Sequence, residues 1–166
     1  TNPWMQESSN KIIQQGEIVS FDTDMVGPYG YCADISRTFV CGNIFNDNQK
    51  NLYSMAINQI SHNSSLIKDG TTFKEFIEKS WKLPEEYYGN RYSVMVHGIG
   101  LCDEWPSIRY PTDGGDKGGI FKKNMTITVE SYIGKVGGKE GVKLEQQYLV
   151  GQNGLELMSH HPLEDI

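Results

Sequence analysis

Long apolar runs are missing from this chain of 166 residues. No stretch approaches the roughly 18 residues that a membrane-crossing helix requires. The opening segment, Thr-Asn-Pro-Trp-Met-Gln-Glu, has neither the basic start nor the apolar middle of a signal peptide. An initiator methionine is also lacking, so an N-terminal part of the natural protein is expected to be missing. Cysteine is scarce. Cys32, Cys41 and Cys102 are odd in number and form no Cys-x-x-Cys pair, which excludes a disulfide framework and a cysteine-zinc site and fits a reducing, cytoplasmic compartment. An excess of positive charge is absent too. The formal net charge is −6 with no Lys/Arg stripe against it, which argues against nucleic acid as a partner.

What remains is a globular balance, with 37% hydrophobic and 22% charged residues. The length suits one domain over residues 1–166 and is short for two. Within it, Asp22 and Asp24 (Phe-Asp-Thr-Asp), Asp34 (Ala-Asp-Ile-Ser-Arg-Thr), Glu130 (Thr-Val-Glu-Ser) and Glu145 (Lys-Leu-Glu-Gln) each lie in or beside a stretch that reads as a β-strand. An isolated charge facing a core there costs several kcal/mol, and the nearby cations look too few to neutralise them all.

The pattern of elements brings these groups together. Glu17 to Asp24 reads as a strand, with Asp22 and Asp24 two apart and so on one face. Gly27-Pro28 and Gly30 reverse the chain, and Tyr31 to Cys41 returns as a second strand carrying Asp34. A helix is predicted from about Asn46 to Ile67, with Leu52, Met55, Ala56 and Ile60 at helical spacing, ended by Asp69-Gly70. A shorter helix capped by Thr71 or Thr72 runs through Trp81 and stops at Leu83-Pro84. Tyr92 to His97 is a short strand entering a Gly-x-Gly loop, and residues 112–119 form a flexible loop. Met125 to Glu130 and Val142 to Val150 make a second hairpin around the glycine-rich turn Gly134 to Gly141, which delivers Glu130 and Glu145.

Five carboxylates with one imidazole, His97 in His-Gly-Ile-Gly-Leu, suit Mn²⁺, Fe²⁺, Co²⁺ or Zn²⁺ better than copper, and are too many for one ion. Two ions a few ångströms apart would use them all. Taken singly, each residue has an ordinary reading: Asp22 and Asp24 as turn residues, Asp34 paired with Arg37, His97 as a structural histidine, Glu130 and Glu145 on an exposed sheet face.

These motifs, in this order over roughly residues 16–150, resemble the superfamily of methionine aminopeptidase, aminopeptidase P, prolidase and creatinase. The resemblance implies the pita-bread α/β fold, of which this chain would be the C-terminal portion, and a dinuclear metal centre. Three departures stand out. The first strand carries Asp22-Thr-Asp24 rather than one Asp, Glu130-Ser-Tyr replaces Glu-Pro-Gly, and Asp103 in Cys-Asp-Glu-Trp-Pro stands where the peptidases have a second His. All three are similar to the branch that cleaves dimethylsulfoniopropionate to dimethyl sulfide and acrylate.

That likeness implies metal ligands at Asp22, Asp24, Asp34, His97, Glu130 and Glu145, Asp103 as the base, a small-molecule substrate and a homodimer. Iron is the expected metal, with manganese, cobalt and zinc compatible. Elimination needs a base for the proton alpha to the carboxylate, and positive charge to hold that carboxylate. The sulfonium could rest on Trp4, Tyr92 or Trp105, each contact being worth about 0.5–2 kcal/mol. Two competing expectations remain: an Xaa-Pro aminopeptidase or dipeptidase, which the absent second His opposes, and a metal-free binding module of the same fold, a class that typically loses ligands.

Overall fold

The computed structural model describes residues 9–42, 44–115 and 118–163. The first hairpin is built from β1 (Ile18–Asp22), β2 (Met25–Val26), β3 (Cys32–Ala33) and β4 (Ser36–Val40). β1 pairs antiparallel with β4, Asp22 opposite Ser36, and β2 pairs with β3, Met25 opposite Ala33. The two strands expected to be continuous are therefore each broken, at Thr23-Asp24 and at Asp34-Ile35. Thr23 gives the physical reason. Its Oγ1 donates to the Ile35 carbonyl at 2.9 Å, so a side chain takes an acceptor that a backbone N–H would otherwise use.

α1 (Asp47–Ser65) starts on a reciprocal cap in which Asn46 accepts from the Gln49 N–H and the Gln49 side chain accepts from the Asn46 N–H. α2 (Phe73–Lys79) is capped by Thr72 and buries Phe73 and Phe76. α3 (Glu85–Tyr88) is a single turn after Pro84. β5 (Val94–Gly98), β6 (Ser107–Arg109), β7 (Thr126–Gly134), β8 (Gly141–Val150) and β9 (Leu155–Leu157) then form an antiparallel sheet in the order β6-β5-β7-β8-β9. In the expected loop 112–119, Pro111–Asp113 is a 3₁₀ turn, while residues 116 and 117 lie outside the described residues.

Alternation along β7 and β8 gives the sheet two different faces. Val129, Ile133, Val142 and Leu144 join Leu52, Tyr53, Ala56 and Ile60 of α1 in one core, and the Ser131 hydroxyl on that face donates to Gln59. The opposite face carries Glu130, Lys143 and Glu145. There the first hairpin packs on β8, tied by Thr38, whose Oγ1 lies 2.8 Å from the Lys143 carbonyl and 3.0 Å from its N–H. Arg37 fastens the same junction from behind. Its guanidinium donates to the carbonyls of Ser36, Glu145, His161 and Pro162 and to Gln146 Oε1. Those donors are thus committed away from Asp34, which removes the Asp34–Arg37 pairing as the reading of this motif.

Candidate metal centre

The β7–β8 register sets Glu130 directly opposite Glu145. Like charges at such a position destabilise a sheet, so the pair needs an external reason to exist. Ser36 sits over them. Its Oγ lies 2.5 Å from Asp22 Oδ1 and 3.0 Å from Glu145 Oε2, linking the end of β1 to β8. Asp24 and Asp34 flank the break in the hairpin, and β5 supplies His97, opposite Thr128 of β7.

His97 is buried, and its two nitrogens have distinct surroundings. Nδ1 lies 3.0 Å from the Gly98 carbonyl, to which a protonated Nδ1 donates. Nε2 faces Glu130 Oε1 and Glu145 Oε1, each at 3.3 Å, and Asp34 Oδ2 at 3.6 Å. A ring held by a carbonyl on one side, with its other nitrogen turned into carboxylates, has the orientation of a metal-ligating imidazole. Candidate ligand atoms lie within 4.8 Å of one another in four overlapping sets: Asp34/His97/Asp103, His97/Glu130/Glu145, Asp22/Asp34/Glu145 and Asp24/Asp34/Glu104. All six ligands expected from the sequence fall in these sets.

One cation is already present. Lys143 Nζ is buried at 2.6 Å from Glu130 Oε2, 3.2 Å from Asp22 Oδ2 and 3.5 Å from Glu145 Oε2, a cation the sequence reading does not single out. A single ammonium leaves a large negative excess. Burial pushes the Asp34 carboxyl up to about 9, with Glu145, Asp22 and Asp24 adding to the rise. Burial also raises Glu130 to about 8 despite Lys143. Burial works against ionising Glu145 too, yet Lys143 and His97 hold it down at about 2. For His97, burial opposes the charged ring, but Glu145 and Glu130 outweigh it and lift the pKa to about 10. These are carboxylates and an imidazole competing for protons in place of a stronger positive charge.

The donor set fits divalent metal. Asp34 Oδ1, Glu130 Oε1 and Glu145 Oε1 are buried without a hydrogen-bond partner among the described residues. An orphaned buried carboxylate oxygen is costly unless an ion takes it up. Oxygen-rich ligands with one imidazole suit first-row transition metals.

Asp103 lies on the loop after β5, its Oδ1 3.9 Å from His97 Nδ1. That loop doubles back across Gly98, where an added Cβ would sit 2.1 Å from the Trp105 carbonyl, so only glycine admits this path. The Cys32 N–H donates to the Gly100 carbonyl and ties the loop to the first hairpin. Tyr92 is part-buried, with Lys143 Nζ 4.8 Å from its ring centroid, and burial raises its phenol pKa. Trp105 is 57% exposed on the same loop as Asp103, and Trp4 lies outside the described residues. Sequence reasoning misses two polar members of the described cluster, Lys143 and Ser36, and offers Glu104 only as the next candidate base after Asp103. Lys143 had a signal, since it is two residues before Glu145 on a strand and so shares its face.

Against known proteins, the metallopeptidase family M24 profile matches residues 1–152. The dimethylsulfoniopropionate lyase DddP of Roseovarius nubinhibens is 39% identical over 168 residues, 99% of this chain and 37% of that protein. The lyase DddP of Roseobacter denitrificans is 35% identical over the same shares of both. The chain thus spans just over a third of the length of these curated relatives. Among solved structures, the X-Pro aminopeptidase from Thermotoga maritima superposes with a TM-score of 0.75 at 26% identity, covering 96% of this chain and 43% of that one. Pita-bread proteins of this kind share the α/β arrangement described above. No described helix is long and apolar enough to cross a membrane.

Proposed function

The chain belongs to metallopeptidase family M24, and on that premise we propose that it carries the metal-binding and proton-abstracting residues of a lyase that cleaves dimethylsulfoniopropionate to dimethyl sulfide and acrylate. The observation that carries this reading is Asp103: a carboxylate held beside His97 at the edge of the metal-type cluster, in a chain 39% identical to a lyase of that name. Asp22, Asp24, Asp34, His97, Glu130 and Glu145 would hold two divalent ions, iron foremost. When bound, the ions supply the positive charge that fixes the substrate carboxylate and stabilises the charge developing next to it.

Asp103 has the part of general base. Its Oδ1 accepts from the Glu104 N–H at 2.9 Å, which orients the carboxylate without using up both oxygens. The base takes the alpha proton, the C–H electrons form the new C=C bond, and the C–S bond breaks with its pair leaving on sulfur. The products are acrylate, neutral dimethyl sulfide and a proton on Asp103. Tyr92 and Trp105 offer aromatic faces to the sulfonium, and Lys143 keeps Glu130 and Glu145 in register for the ions.

The likeness to an X-Pro aminopeptidase favours a second reading, hydrolysis of Xaa-Pro peptides. Asp103, an acceptor where the peptidases carry a His, opposes it. The two separate in one experiment: metal-loaded full-length protein is offered dimethylsulfoniopropionate and an Xaa-Pro dipeptide in parallel. Dimethyl sulfide with little free amino acid is the expected result. An Xaa-Pro turnover near the enzyme median of about 10 s⁻¹, without dimethyl sulfide, reverses the ranking.

A further inference from the structure

Among the described residues, Glu104 is the one acid at this site that neither the ligand set nor the base accounts for. Its Oε1 lies 4.0 Å from His97 Nε2, and one of its carboxylate oxygens lies within 4.8 Å of carboxylate oxygens of Asp24 and Asp34. Unlike Asp34, His97, Glu130 and Glu145, which are buried, its side chain is 46% exposed, much as Asp22 is, and it precedes Trp105 in the chain. With Lys143 and two divalent ions in place, the five ligand carboxylates would be neutralised, so Asp103 and Glu104 would set the charge that an incoming molecule meets. We propose that Glu104 is a specificity-determining residue that recognises the cationic end of the substrate.

This rests on the lyase reading. There, a single carbon separates the carbon losing its proton from the sulfur, so a carboxylate one residue from the base reaches the sulfonium while Asp103 reaches the proton. Trp105, next in the chain, lines the same surface cavity as Glu104, and a carboxylate near a ring is a general device for holding a compact onium ion. The kinetic consequence is specific. The sulfur is cationic in the bound substrate and loses that charge as the C–S bond breaks. Glu104 therefore stabilises the ground state more than the transition state, and lowers KM without raising kcat.

The test uses the full-length, metal-loaded protein with Glu104→Gln, and with Glu104→Asn as a second neutral variant. Asparagine tolerates the backbone φ of +62° at this position and guards against a misfolded first variant. Three quantities are read: metal content, kcat and KM for dimethylsulfoniopropionate, and the inhibition constants of 3-(trimethylammonio)propionate and its neutral carbon isostere 4,4-dimethylpentanoate. The expected result is unchanged metal, a KM raised about tenfold, a kcat equal to or above wild type, and loss of a wild-type preference for the cationic inhibitor of about tenfold. Metal loss in both variants would make Glu104 a ligand and overturn the proposal. So would a retained preference for the cation, or a fall in kcat at constant KM. A wild type that neither releases dimethyl sulfide nor binds the cationic inhibitor overturns the lyase reading together with this one, whereas a wild type that cleaves while the variants still discriminate overturns Glu104 alone.

Discussion

Replacing Lys143 with methionine removes one charge from the middle of the carboxylates while keeping the length of the side chain. In the metal-free protein, Lys143 is the foremost attraction holding Glu145 ionised, and its Nζ is 2.6 Å from Glu130. Breaking a buried pair by removing one partner costs about 3–5 kcal/mol. The stranded carboxyl can instead take up a proton, which at pH 7 caps the cost at about 3.4 kcal/mol for an ordinary pKa of 4.5. The expected deficit is therefore about 3 kcal/mol in urea denaturation of the metal-free protein at pH 7.

The sign of its pH dependence follows from Glu145. A folded pKa of about 2, against an ordinary 4.5, contributes stability that is present above 4.5 and lost as the pH falls toward 2. The deficit is thus full at pH 7 and shrinks below about 4.5. Metal loading supplies replacement charge, so the gap between variant and wild type narrows in the loaded protein. A variant as stable as wild type without metal, or an equal deficit with and without metal, refutes the role given to Lys143.

Asp103→Asn keeps the shape of the base and removes its charge, so kcat is expected to fall by about 10²–10⁴-fold with little change in KM or metal content; wild-type speed in steady-state assays moves the base elsewhere. Asp34, Glu130 and His97, raised to about 9, 8 and 10, retain protons in the metal-free site at pH 7. Metal uptake must expel them, so calorimetry in buffers of different ionisation enthalpy is expected to detect proton release, and apparent affinity to rise with pH up to about those values. Proton-neutral binding contradicts that placement.

Much of the arrangement is legible in the chain itself. Alternation in Met125 to Glu130 and Val142 to Val150, with glycines between, is enough to put Glu130 and Glu145 on one hairpin, and the same period of two extends to Lys143. The helix over 46–67 is trimmed only to Asp47–Ser65, because Asn46 is its cap rather than its first turn. The breaks at Thr23-Asp24 and Asp34-Ile35 are harder to foresee. They depend on a side-chain bond from Thr23 to a carbonyl twelve residues away, which no local pattern encodes. β6 and β9 are three residues each, too short to display a period. The place of Glu104 beside His97 is not legible locally, because it comes from the return of the loop over Gly98, a contact made in space.

The most direct test measures dimethyl sulfide in the headspace and acrylate in solution from metal-loaded full-length protein and its Asp34→Ala variant, with the metal content of both determined on the same samples. The account predicts about two ions per wild-type protomer and equimolar products, with metal and product lost together in the variant. Wild-type protein that holds its metal yet yields neither product, or an Asp34→Ala variant that keeps both metal and activity, would contradict it.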